Sequence, residues 1–348
     1  MMLAAIALIA VLVAVVAGVW LSRRRAPAAA PQAALAPQAP VNASPRLDFA
    51  PVSAANNVAT ERLWRLAFAA PATPPADDPA ERAIRTAIFT VLRADSLDPK
   101  YFPRRPTLMT QLMHAFNDER TASDQISHMI THDPVLTADV LRLANSTLYR
   151  TSPEPIGTIQ RAVVVCGMDE LRRLVATAML LPVFRATRTN FPRFPRMLWE
   201  RTERAARAAE MYAASTHPQD RFEAQMVTLL SALGPLVVYG AALDIYARSP
   251  RTPPDPQTFV ALLRDLSSPM AQRIAKQWEA APRLVAALGK SGGESLTTAL
   301  YVGELMGTLS VLQSQAVITG EELHDTAAGV GLPDARIFEI AQRLAVKS

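Results

Sequence analysis

The feature that most constrains this chain is a run of helical periodicity broken at fixed points between residues 122 and 184. Val135, Val140, Leu141, Leu143 and Ala144 recur at roughly three-to-four spacing, the pattern of a helix with one apolar stripe. Asp133 supplies an N-cap and Pro134 a first helical residue whose missing N–H costs nothing. Asn145-Ser146 closes that helix at a polar corner. A shorter apolar helix then runs to Cys166, Gly167 stops it, and Met168-Asp169-Glu170 opens the next. Closely spaced helices with defined ends and no period-two pattern predict an all-α fold.

Asp133-Pro134, Leu136-Thr137, the run from Leu141 to Ser146, Tyr149, and Gly167 with Leu171-Arg172 together resemble the HDOD domain. This is a bacterial signal-output module related to the HD-type metal phosphohydrolases. With weaker matches further on, the resemblance spans residues 101–288. It implies a multi-helix domain and does not by itself name a function.

The 348 residues can form a sizeable core, and half of them are apolar. Aromatics are sparse and alanine is abundant, which favours helices. The formal charge is +5, with arginine far outnumbering lysine, a balance compatible with an acidic partner or a membrane surface. A single cysteine, Cys166, excludes an intrachain disulfide and a cysteine-rich zinc site. It lies in the run Val163-Val164-Val165, as an inert core thiol would.

Residues 3–21 carry no charge, and as a helix they would span about 28 Å, close to the hydrocarbon thickness of a bilayer. Arg23-Arg24-Arg25 follows at once, and Trp20 sits where an interfacial aromatic belongs. The expectation is a single-pass anchor in the bacterial inner membrane with the bulk of the chain cytoplasmic; the rival is a cleaved signal peptide. Residues 22–78 read as an Ala/Pro-rich linker containing a short amphipathic piece at residues 61–69 that docks on the domain. Residues 79–292 are expected to form the HDOD domain. Residues 293–348 then form a C-terminal helical segment packed on it. Helices are expected at residues 81–93, 107–116 and 197–215, with residues 191–196 a proline-broken connection. Residues 219–246 form another, broken or kinked at Gly234-Pro235. Residues 259–266 and 269–278 are read as two separate helices, and 282–288, 295–312 and 334–345 as three more.

The resemblance also says where chemistry should be. HD-type phosphohydrolases hold metal through histidines and an adjacent His-Asp pair, and the metal activates water. Along this chain, Trp199-Glu200-Arg201-Thr202 is similar to a helix start where the family often has histidine, and the aligned residue is Arg201. The segment from Leu229 to Pro235 resembles the one carrying the His-Asp pair, and here the pair is Ser231-Ala232. A later histidine pair aligns with Lys290-Ser291-Gly292. Ser and Ala cannot replace imidazole and carboxylate, and an arginine repels a metal cation. No catalytic residue, metal or cofactor is therefore expected. The five histidines offer no substitute: His128 and His132 are four apart but lack the HExxH glutamate. No GxSxG elbow, Walker loop or GxGxxG is present.

Two features could bind something. Arg201 and Arg204 lie in a series from Arg185 to Arg207 that could hold an anion, or could form a solvated face through the i, i+4 pairs Glu200–Arg204 and Glu203–Arg207. Asn145, Ser146 and Tyr149 form the polar corner, either a partner contact or a pinned helix end. The expected role is a non-catalytic regulatory module working through protein partners in bacterial signalling. Two rivals stand beside it: a sensor of an anionic, cyclic-dinucleotide-type nucleotide near Arg201, and a divergent phosphohydrolase. HDOD proteins often work beside cyclic-di-GMP-related domains, so the resemblance implies that context, with any enzymatic partner acting in trans. Nucleic acid is not expected, since the arginines lack interleaved aromatics.

Overall fold

Capping and small residues set the fold. The computed structural model describes residues 47, 49–71, 78–94, 123–150, 153–185, 190–248, 254–289 and 295–345, with side chains left aside at 123–124 and 182–185. All belong to one unit, Pro45–Ser348. Among the described residues every regular element is helical, as the periodicity predicts. The expected membrane segment at residues 3–21 and the expected helix at 107–116 lie outside the described residues.

The first helix, α1 (Phe49–Phe68), corrects the sequence reading, which takes the linker to residue 78. Pro51 falls in its first turn, where no N–H is needed, and no proline interrupts the alanine-rich run that follows. Val52, Asn56, Ala59, Leu63 and Ala67 recur at three-to-four spacing and are buried. The short piece at 61–69 is the end of this helix. Helix α2 (Pro79–Arg93) is capped by Asp78, whose carboxylate accepts from the Ala80 N–H.

Helices α3 (Ser123–Thr131), α4 (Pro134–Ala144), α5 (Ile159–Cys166) and α6 (Met168–Arg185) make the first packed group. The Asp133 carboxylate accepts from Val135 N and Leu136 N, each at 3.0 Å. Gly167 adopts φ +84°, a left-handed stop between α5 and α6.

Helix α7 (Arg193–Thr216) starts inside the stretch read as a broken connection: Pro192 is its N-cap and Pro195 lies in its first turn. Helices α8 (Arg221–Ser231) and α9 (Leu233–Ala247) meet at Ala232, two residues before the expected Gly234-Pro235. Helix α10 (Pro256–Gln277) is continuous where two helices are expected. Pro269 lies on its exposed side, beside exposed Asp265 whose carbonyl loses its donor, so the missing bond costs less than in the core. Helices α11 (Pro282–Leu288), α12 (Ser295–Ser314), α13 (Gly320–Gly329) and α14 (Asp334–Leu344) complete the chain.

The centre is the antiparallel pair α7 and α12. Gly303 and Gly307 of α12 lie directly on Ala205 and Ala209 of α7. A Cβ built on Gly303 would sit 2.5 Å from the Ala209 Cβ, and one on Gly307 would sit 2.5 Å from the Ala205 nitrogen. Helix α1 covers this pair and contributes Phe68 to a ring cluster. Phe68 stacks on Phe194 at 4.9 Å between centroids, and Phe194 meets Tyr239 at 4.5 Å. Although α12 falls after residue 292, it is an interior helix, so residues 295–345 share one core with the helices before them.

Gly307→Ala should lower stability by about 1–3 kcal/mol despite the better helix propensity of alanine, because the two backbones must move apart. Gly240→Ala, where nothing lies within 4 Å, should be neutral or stabilising by up to about 1 kcal/mol. Urea midpoints of the two variants check the contrast, and equal effects would contradict this account of the packing.

Candidate functional site: a buried arginine–glutamate centre

Arg201 and Ser231, singled out 30 residues apart in sequence, converge on one carboxylate in the fold. Because α7 and α12 touch through alanine and glycine, Arg201 reaches the facing turn of α12. Its Nε donates to Thr308 Oγ1 at 2.9 Å, and Nη2 lies 3.4 Å from Glu304 Oε1. Glu304 Oε1 also accepts from Ser231 Oγ at 2.9 Å, at the end of α8. Its other oxygen accepts from Asn56 Nδ2 of α1 at 2.9 Å. Thr60 donates to the Asn56 carbonyl oxygen at 3.2 Å. The guanidinium carbon of Arg201 lies 5.7 Å from the Trp64 ring centroid, a cation–π contact. Arg201 is 4% exposed. Ala232, fully buried, brings no polar atom.

Each member is therefore occupied by another. The positive guanidinium and the negative carboxylate cancel, and both are hydrogen-bonded, which is the condition for keeping charge inside a protein. A pocket of about 90 Å³ adjoins the centre, with Asn57, Ser267 and Ser268 on its wall. Among the described residues no three His, Cys, Asp or Glu side chains group as metal ligands.

The other sequence candidates do different work. Arg204 points along α12 instead of into the Arg201 centre. Its Nη1 donates to the Ser310 carbonyl at 2.7 Å, and to the hydroxyls of Ser310 at 3.2 Å and Ser314 at 3.1 Å. The Asn145 amide bridges α4 to residue 156: Nδ2 donates to the Leu141 and Ile156 carbonyls, and Oδ1 accepts from Ile156 N at 2.8 Å. Ser146 Oγ donates to the Leu143 carbonyl at 2.7 Å. Tyr149 is buried, with Thr177 and Glu203 near its hydroxyl, and burial pushes its ionisation well above the usual phenol range. Asn145 and Ser146 thus make the hydrogen bonds of a pinned helix end, while Tyr149 packs in the core.

Among the described arginines of the series, Arg193 and Arg196 are exposed, whereas Arg201, Arg204 and Arg207 turn inward rather than forming a solvated face. Arg207 pairs with Glu170 of α6 at 3.3 Å and with Glu210 at 3.1 Å, rather than with Glu203. Glu170 also holds Arg173, and Glu210 holds Arg221, so charges from α6, α7 and α8 close into one network. Glu203 lies off that network, near Arg142, Trp199 and Arg204. Burial, the largest influence, and the like charge of Glu200 push its carboxyl up to about 7.

Sequence reasoning missed Glu304 and Asn56. Glu304 is the one charged residue in Ser295–Ser314, which is a signal, since a lone carboxylate in an apolar helix needs a buried partner. Asn56 was hidden in a stretch read as linker.

Comparison with known proteins agrees with this architecture. The family model described as HDOD domain matches residues 102–291. A solved structure named a putative metal-dependent phosphohydrolase from Shewanella amazonensis SB2B superposes with a TM-score of 0.52 at 15% identity, covering 76% of this chain and 99% of that one. An HDOD domain protein with unknown function from Geobacter sulfurreducens superposes with a TM-score of 0.51 at 18% identity, covering 76% and 97%. No curated protein matches the chain.

The centre predicts strong coupling. Arg201→Met or Glu304→Leu alone should cost about 3–5 kcal/mol, since each strands a buried charge, whereas the double variant should lose far less than the sum. Urea unfolding of the four proteins measures this, and additive losses would contradict it.

Glu203 predicts a pH slope. Its folded-state pKa lies above the unfolded value of 4.5, so its contribution is full below pH 4.5 and is lost as pH rises through about 7. The loss reaches about 3 kcal/mol at most. Glu203→Gln should remove that part of the slope, and an unchanged slope would contradict the assignment.

Residues 102–291 span more than half of the chain, and the all-helical chain belongs to the HDOD family.

Proposed function

We propose that the chain is a non-catalytic, membrane-anchored regulatory module of bacterial signal transduction that acts through protein partners. The observation that carries this reading is the Arg201–Glu304 pair. Arg201 and Ser231 stand at positions aligned with metal ligands of HD-type hydrolases, and both now serve Glu304. A guanidinium beside the only carboxylate of the centre opposes a second cation by Coulomb repulsion and takes up the ligand it would need. A surface that presents helices while its ancestral pocket is filled suits recognition of other proteins.

The anchor rests on residues 3–21. The helix Ser295–Ser314 and the continuous stretch Pro218–Ala247 are apolar and long enough to cross a membrane, but that stretch is divided between α8 and α9, and 83% of each apolar window is buried, so core packing accounts for both. The nucleotide reading at Arg201 finds little support in geometry. Small-molecule sites usually enclose about 300–1,000 Å³, whereas the adjoining pocket has about 90 Å³ and the guanidinium is already paired.

The test uses the full chain in detergent with bis(p-nitrophenyl) phosphate and Mn²⁺, Ni²⁺, Fe²⁺ or Mg²⁺. The expected result is no turnover above the metal blank. Metal-dependent hydrolysis abolished by Glu304→Gln would overturn the reading in favour of a divergent phosphohydrolase. Partner action is tested by co-purification from the native membrane. A stoichiometric signalling protein should be recovered with the full chain and depleted when residues 3–21 are deleted.

A further inference from the structure

Along the α1–α10 seam lies a second pocket, of about 240 Å³, which shares Glu61 and Arg264 with the pocket beside the Arg201 centre but contains none of the residues bonded in that centre. Arginines from three helices line it: Arg65 of α1, Arg85 of α2 and Arg264 of α10. One carboxylate, Glu61, is on the same wall. It accepts from Arg65 Nε at 3.1 Å and Nη2 at 2.7 Å. Arg264 is held by Asp265 at 2.9 Å. Arg85 is exposed and makes no ion pair among the described residues. The rest of the wall includes Ala70, Pro71 and Val260, with the Gln257 amide fixed to the Pro71 carbonyl at 3.0 Å.

This arrangement has a chemical meaning. Glu61 and Asp265 offset the charges of Arg65 and Arg264, so Arg85 leaves the concavity with one net positive charge. Guanidinium forks bind phosphate oxygens bidentately, and here Arg85 would offer its fork while Arg65 and Arg264, each held by a carboxylate through Nε, would offer their remaining N–H groups from other directions. The volume is below that of ordinary drug-sized sites, so it suits one or two phosphate groups rather than a whole nucleotide. The apolar patch of Ala70, Pro71 and Val260 would border a small organic remainder.

We infer that the pocket between α1, α2 and α10 is a binding site for a small phosphate-bearing anion, held by Arg65, Arg85 and Arg264. The inference is independent of the proposed function, because it uses none of the residues of the Arg201 centre. It also ties the ligand to α1, so binding would brace the helix that follows the N-terminal segment.

The experiment is isothermal titration of the full chain in detergent with inorganic pyrophosphate at constant ionic strength, repeated with citrate. The expected result is saturable binding of pyrophosphate near one per chain, weakened about tenfold or more by Arg85→Gln and by Arg264→Gln. Arg336→Gln, on α14 and paired with Glu339, should leave the affinity unchanged. Absence of saturable binding would overturn the proposal, as would unchanged affinity in Arg85→Gln or an equal loss in Arg336→Gln. Citrate binding as tight as pyrophosphate would overturn the assignment to phosphate.

Discussion

The contact between α7 and α12 governs the rest of the molecule. Ala205 and Ala209 meet Gly303 and Gly307 with no room for a larger atom, so the two helix backbones touch. Closeness of this kind gains dispersion energy along the whole crossing and leaves little freedom for the helices to slide. It also fixes the reach of the neighbouring side chains. Arg201, one turn before Ala205, arrives at Thr308 and Glu304, and Arg204 arrives at Ser310 and Ser314. A pair of helices held at ordinary spacing by larger side chains would leave those arginines short of their acceptors.

The centre that results is a closed electrostatic circuit. An unpaired charge in such a place would cost several kcal/mol, and the chain avoids this by bringing partners to Arg201 and its carboxylate from three other helices. Asn56 and Trp64 come from α1, Ser231 from α8, Thr308 and Glu304 from α12. The N-terminal helix is thus part of the same assembly as the site it covers. Losing it would uncover Glu304 and remove the aromatic face over Arg201, as well as Phe68 from the ring cluster. The second ionic network, joining α6, α7 and α8 through Glu170, Arg207 and Glu210, ties the first helical group to this core in the same way.

Much of the fold was legible because its signals are local. Asp133-Pro134 and Gly167 depend on local capping, and the structure has them where the sequence implies; the α4 stripe holds at Val140, Leu143 and Ala144, but Val135 is exposed and Leu136 is buried in its place. The errors arose where tertiary packing overrides a local rule. Proline suggested breaks at 195 and 269, but the first lies in an opening turn and the second on an exposed side of a helix held by its neighbours. Alanine-rich sequence before residue 60 looked like linker because its apolar stripe is thin, with an asparagine in it; that stripe is complete only against α12 and α10. At the site, Arg201 and Ser231 could be located by resemblance, yet their common partner could not. Glu304 lies 103 residues beyond Arg201 (304 − 201), and a pairing at that separation is not contained in any period or motif. For the same reason the i, i+4 pairing of Arg204 and Arg207 looked sufficient, although both arginines turn to other helices.

The central claim is that the space between α7, α8 and α12 is filled by an internal ion pair and takes no metal. Its most direct test is anomalous diffraction from crystals soaked in Mn²⁺ or Ni²⁺. The account predicts no anomalous peak among Arg201, Ser231 and Glu304, with the guanidinium in place against Thr308. A peak there, with Arg201 swung away from Glu304, would contradict it.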